Sequence, residues 1–152
     1  MTIIDSRYHP WRHLADRYRH IRVLYTDHLS PRTPAHTDGR LIWLSNNLDQ
    51  AARRSRIAHA IVHLQQHEHC SPASEFVADT TAAYRLLPLR DLIDAHRHHP
   101  GATITQLAEH LWVDQHTLRH RLSTLDPIET AELEHHTGGT WTPPAIGLSN
   151  SR

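Results

Sequence analysis

The chain has 152 residues, with 16 basic and 16 acidic side chains, 38% apolar residues and one cysteine. Such a length supports one domain or one with a small appendage, the balanced charge argues against a surface built for polyanions, and a lone thiol excludes an internal disulfide. No basic-then-apolar stretch opens the sequence and no apolar run approaches membrane-spanning length, so a cytoplasmic protein without membrane contact is expected.

Trp11, Leu14, Ala15 and Tyr18 recur at helical spacing and predict a helix over residues 5–20. Ile21-Arg22-Val23-Leu24-Tyr25 reads as a half-buried strand, and Ser30-Pro31-Arg32-Thr33-Pro34 as a loop. Asp38-Gly39 is a turn signal before a second strand, Arg40-Leu41-Ile42-Trp43-Leu44, and the two strands are expected to pair antiparallel. Asn46, Asn47 and Asp49 offer N-caps for a helix from about Leu48 to Gln66, ended by His67-Glu68-His69-Cys70. Ser71-Pro72 supplies N-cap and first position of a helix through Leu87, with Phe76, Ala83 and Leu87 as its core stripe and Glu75, Asp79 and Ala82 on another face. Pro88 breaks that helix, and Leu89 to His98 forms another. Thr103-x-x-Gln106 is a capping box for a helix through Leu111, and Asp114 caps one from Gln115 to Leu125, a pattern that resembles a helix-turn-helix. Asp126-Pro127-Ile128-Glu129 opens a last helix to about His135, and the Gly-, Pro- and Ser-containing stretch from Thr137 reads as a flexible tail.

Residues four apart share a helix face, so His59 and His63 can present both rings to one point. With 17 histidines in the chain such a match is cheap, and His9/His13, His63/His67 and His116/His120 match as well. Three features raise the His59/His63 pair. It lies among Ile57, Ile61, Val62 and Leu64, where an unpaired ring is costly to bury. Glu75 follows on the next helix and completes a two-His, one-Glu zinc set. Asp79, one turn further, is placed to orient a metal-bound histidine from behind. The bland alternatives are a helix macrodipole favouring Glu75 in a first turn and a solvated face carrying Asp79. The pair is also half of the H-E-x-x-H signature, in which the Glu beside the first His is the general base. Here Ala60 stands in that place. The site reads as complete for holding metal and incomplete for hydrolysis.

Arg56-Ile57-Ala58-His59-x-x-x-His63, then Glu75-x-x-Ala78-Asp79-x-x-Ala82-Ala83-x-x-Leu86-Leu87-Pro88, then Leu107-Ala108-x-x-Leu111-x-Val113, resembles the ImmA/IrrE-type metallopeptidases over roughly residues 20–125. The resemblance implies an α+β, zincin-like fold, mostly helical with a short antiparallel sheet, over residues 1–100. A helix-turn-helix-like extension over 101–136 packs on it, and 137–152 is the tail. It implies zinc as cofactor, His59 and His63 as ligands, Glu75 as the third, and Asp79 in support, although the family often has Asn there. It also implies a protein partner, a helix-turn-helix repressor of phage type or an antitoxin-like protein, which such enzymes cleave or inactivate. The missing Glu would take a proton from the attacking water and pass it to the leaving amine, a role worth roughly 10²–10⁴-fold in rate. Glu68 lies more than two helical turns beyond Ala60, on the order of 12 Å along the axis, and is a poor substitute. The chain is therefore expected to bind without cutting, either as a natural binding-only relative or as a variant whose base was replaced. The alternative function is a DNA-binding regulator built on residues 103–125, with Arg119, His120 and Arg121 where base or phosphate contacts would fall. Glu109, Asp114 and the balanced charge count against it.

Overall fold

The computed structural model describes residues 7–66, 71–139 and 141. In chain order the elements are α1 (Pro10–Arg17), β1 (Arg22–Thr26), β2 (Ala35–Thr37), β3 (Leu41–Ser45), α2 (Gln50–Gln66), α3 (Pro72–Leu86), α4 (Leu89–His98), α5 (Ile104–Leu111), α6 (Gln115–Ser123) and α7 (Pro127–His136). This is the expected α+β architecture, mostly helical with a small sheet. Residues 5–6 of the expected first helix, His67-Glu68-His69-Cys70, and residues 140 and 142–152 of the expected tail lie outside the described residues.

Most helix starts follow from their caps. Asp49 Oδ1 accepts from the Ala52 amide at 2.8 Å at the start of α2. Ser71 and Ser74 form a reciprocal capping box ahead of α3, with Pro72 in its first turn. Thr103 and Gln106 do the same for α5, and Asp126 and Glu129 for α7. Each cap satisfies amides that a helix N-terminus leaves without partners. The first helix is shorter than its periodicity suggests, because Pro10 sits in its opening turn and Tyr18 closes it.

The strand pairing differs from expectation. β1 and β3 run parallel, with Arg22 opposite Leu41 and Thr26 opposite Ser45. The antiparallel partner of β3 is β2, three residues long and too short to show alternation, which gives the order β1-β3-β2. Asp38 Oδ1 accepts from the Arg40 and Leu41 amides at 2.8 and 2.9 Å, and Gly39 adopts a left-handed φ of 86°. That tight turn reverses the chain once, and β2 uses it. β1 then reaches the other edge of β3 through the longer connection over 27–34, which leaves its direction free to be parallel.

α2 lies between two apolar clusters. Ile57, Ala60, Ile61 and Leu64 pack with Ile42 and Leu44 of the sheet and with Leu14 and Ile21. Ala58 and Val62 pack instead with Ala78, Ala82 and Leu86 of α3 and with Leu107, Leu118 and Leu122 of α5 and α6. Residues on both sides of position 100 thus share one core. Trp141, within the stretch expected as a tail, is buried in that core as well. On α3 the core stripe is Ala78, Ala82, Ala83 and Leu86 rather than one built on Phe76, which is 57% exposed. Phe76 sits in the turn after the cap, beyond the reach of the core, with its ring edge-on to His120 at 5.2 Å.

The turn between α5 and α6 is pinned to the helix that carries His59. Trp112 is left-handed at φ 57°, uncommon for a residue with a Cβ. Arg54 of α2 donates to the Trp112 carbonyl at 3.0 Å and to the Tyr8 carbonyl at 3.2 Å. The Asp114 amide donates to Ser55 Oγ at 3.1 Å. On α6, Arg121 is only 2% exposed. Its Nε donates to the Leu87 carbonyl at 2.9 Å and its two terminal nitrogens fork onto Glu129 at 3.0 and 2.6 Å. Buried guanidinium groups need such complete pairing, and Glu129 of α7 supplies it.

Candidate metal centre

Four side chains from α2 and α3 meet where the two helices pack. His59 and His63 project from α2 with their Nε2 atoms 3.0 Å apart. Glu75 enters from the first turn of α3, with Oε2 3.1 Å from His59 Nε2 and Oε1 2.9 Å from His63 Nε2. Among the described residues these three form the group whose donor atoms all lie within 4.8 Å of one another, as a metal site requires. The edges of a tetrahedron with bonds of about 2.1 Å span roughly 3.4 Å, so the donor triangle is slightly tight but of the right size for zinc. The histidines are partly buried, while the Glu75 side chain is 43% exposed and leaves the centre open to solvent on that side.

Asp79 lies behind His59. Its Oδ1 accepts from His59 Nδ1 at 2.8 Å, which places that imidazole proton on Nδ1 and leaves the Nε2 lone pair facing Glu75 and His63. A carboxylate behind a ligating imidazole fixes both tautomer and ring orientation. The other oxygen, Oδ2, accepts from His116 Nε2 of α6 at 3.0 Å. Burial opposes ionisation of Asp79, but the hydrogen bonds from His116 and His59 outweigh it and hold the carboxyl well below the usual range. The same bond to Asp79 raises the His116 pKa against the opposing effect of burial. The donor set therefore fits a zinc ion on chemistry as well as size: two imidazole lone pairs, one carboxylate, and a supporting anion.

Two neighbouring contacts complete the surroundings. Thr80 Oγ1 donates to the Phe76 carbonyl at 2.8 Å and accepts from His120 Nε2, also at 2.8 Å. A separate cleft of about 640 Å³ lies at the α4–α5 turn, lined by His99, Gln106, Glu109 and His110 among others, and shares no residue with the centre.

Arg56 through Asp79, the stretch that carries the donor set, lies within residues 16–123, which match a family model described as Peptidase M78, IrrE N-terminal-like domain. The chain belongs to this family. No curated protein and no solved structure matches it. The M78 match spans the sheet, the donor helices and α6, and stops before α7, whose Glu129 holds Arg121 in place. A zincin-like metallopeptidase fold is thereby assigned to the chain.

The structure brings His59, His63, Glu75 and Asp79 together as their spacing suggests. Ala60, in the place of the missing Glu, is 4% exposed and belongs to the sheet-facing stripe of α2. At about 100° per residue, position 60 is roughly 60° around the helix from His63, at the edge of that stripe nearest the donors. The residue that sequence reasoning passed over is His116. Its i, i+4 relation to His120 was visible, but nothing in the local sequence ties α6 to Asp79.

Of the three side chains on which a DNA-reading surface would rest, Arg121 is committed to Glu129 and Leu87, and His120 is bonded to Thr80 and meets the Phe76 ring edge-on. Arg119 remains on the outer face, bonded to Gln115 at 3.2 Å. No helix among the described residues is long and apolar enough to cross a membrane.

Proposed function

We propose that this M78-family chain is a zinc-binding regulator that recognises a helix-turn-helix repressor or antitoxin-type protein in the cytoplasm and, as its sequence stands, holds that partner without cutting it. The observation that carries the reading is the His59, His63 and Glu75 donor cluster backed by Asp79, with a methyl group at position 60. Zinc bound there would supply Lewis acidity and make water more acidic. Everything else falls to the chain's own residues. His59 and His63 offer lone pairs, Glu75 adds negative charge at the solvent-facing side, and Asp79 keeps the His59 proton on Nδ1.

Peptide hydrolysis also needs a group that takes a proton from water and returns one to the leaving amine. Ala60 can do neither. Asp79 has both oxygens engaged, by His59 and His116, so it is not a replacement. Binding therefore remains where cleavage is lost. DNA recognition through α5 and α6 is the lesser reading, because burial of Arg121 removes one of the three side chains on which it would rest.

The test is elemental analysis of untagged protein together with co-expression of a candidate repressor. The unaltered chain should carry about one zinc, His63→Ala should carry none, and the repressor should co-purify intact. Full occupancy in His63→Ala, or chelator-sensitive cutting by the unaltered chain, would overturn the proposal.

A further inference from the structure

α6 grips α3 through two histidines one turn apart. His116 donates to Asp79 Oδ2 at 3.0 Å, and His120 donates to Thr80 Oγ1 at 2.8 Å. Asp79 and Thr80 are adjacent on α3, so the two bonds fix one short segment of that helix. The segment matters because Asp79 is also the partner of His59 Nδ1. The Asp79 carboxylate is shared between a donor residue of the metal centre and a helix that contributes no donor.

α6 is well suited to hold a carboxylate still. Leu118 and Leu122 anchor it in the core, and the Arg121 fork onto Glu129 ties it to α7. Asp114 caps its N-terminus by accepting from the Thr117 amide at 2.8 Å. His116 itself is a poor candidate for a packing role, since its side chain is 54% exposed. What it contributes is one directed hydrogen bond. A carboxylate with a single partner can rotate about its χ angles, whereas one held at both oxygens keeps its plane.

We propose that His116 is a positioning residue for the metal centre: by holding Asp79 Oδ2 it keeps Oδ1 on His59 Nδ1, so that retention of the metal depends on α6. This rests on the reading of His59, His63 and Glu75 as a zinc site. His116 does not touch the donor atoms. It acts through Asp79, and α6 thereby becomes an element through which the metal centre can be loosened or tightened.

The experiment measures zinc affinity by competition with a chromophoric chelator, and the visible spectrum of the cobalt(II)-loaded protein, in untagged full-length chains. The set is the unaltered chain, His116→Ala, His116→Gln, Arg119→Ala and His63→Ala. Loss of a partner behind a metal-bound histidine typically costs 10–100-fold in affinity. Because His116 stands one residue further out, His116→Ala should weaken zinc binding by about tenfold and shift the cobalt spectrum. The metal-free melting temperature should fall by no more than about 2–4 °C, the effect of losing one half-exposed pair. His116→Gln, whose amide can place an N–H where Nε2–H stood, should restore most of the affinity, and Arg119→Ala should behave as the unaltered chain. If His116→Ala holds zinc as tightly as the unaltered chain while His63→Ala does not, this inference falls and the zinc reading stands. If the metal-free melting temperature drops by more than that and Gln restores no affinity, His116 is structural and the inference falls. If the unaltered chain and His63→Ala bind zinc alike, both readings fall.

Discussion

Ala60→Glu restores the carboxylate of the H-E-x-x-H signature, and the structure sets two opposing consequences for it. Ala60 is 4% exposed and packs with Ile57, Ile61 and Leu64 against the sheet. Adding a longer side chain to a filled core costs roughly 1–3 kcal/mol. For a chain of this size each kcal/mol lowers the melting temperature by about 2–4 °C, so a drop of roughly 2–12 °C is expected. The gain is chemical. Position 60 lies on the margin of the stripe nearest His63, so a Glu there can lean out toward the donors. A general base is worth roughly 10²–10⁴-fold. The assay pairs thermal melts with cleavage of a co-expressed candidate repressor, with and without a chelator and in the His63→Ala background. Ala60→Gln is the control: it should share the loss of stability and show no cleavage. Cleavage by Ala60→Gln equal to that by Ala60→Glu would refute the assignment of position 60 as the missing base. An unchanged melting temperature in both variants would refute the packing argument instead.

His63→Ala should abolish the rise in melting temperature that added zinc gives the unaltered chain, a rise of about 2.7 kcal/mol in stability at a hundredfold excess over Kd; scanning calorimetry with and without zinc reads this directly, and an undiminished shift in the variant would count against the donor set. Glu129→Gln removes the partner of a guanidinium that is 2% exposed and should cost about 3 kcal/mol, measured by urea unfolding, with a change under about 1 kcal/mol contradicting the buried-pair account. The Arg121 hydrogen bond, against a smaller opposing effect of burial, lowers the Glu129 pKa from its ordinary 4.5. The pair is therefore at full strength above that value and is lost as pH falls through the lower folded pKa, so Glu129→Gln should show a shallower loss of stability below about pH 4.5. Phe76→Ala should change stability by less than about 1 kcal/mol, since the ring is 57% exposed, and a larger loss by thermal melting would restore Phe76 to the core. Specific, salt-sensitive binding of a defined DNA site is not expected at neutral pH, and observing it by anisotropy would promote the DNA-reading function.

Local chemistry alone made several features legible. The Ser71-Pro72, Thr103-x-x-Gln106, Asp114 and Asp126 caps mark helix starts because a capping side chain acts within three or four residues of itself. The i, i+4 spacing of His59 and His63 is likewise a property of one helix, and it put both rings on one face before any packing was known. Other features depend on what each element meets. The direction of β1 against β3 was decided by β2, which has too few residues to announce itself and yet occupies the Asp38-Gly39 turn. Phe76 and Ala82 exchanged roles on α3 because the face that α2 and α6 cover, rather than side-chain size, determines which positions are buried. Arg121 looked like a surface cation from its neighbours and became a buried one because α7 folds back to offer Glu129. His116 was one of several spaced histidines in the sequence, and only the docking of α6 on α3 joins it to Asp79, thirty-seven positions away. A hydrogen bond over that separation carries no local signature, because it is the packing of two helices that brings its partners within reach.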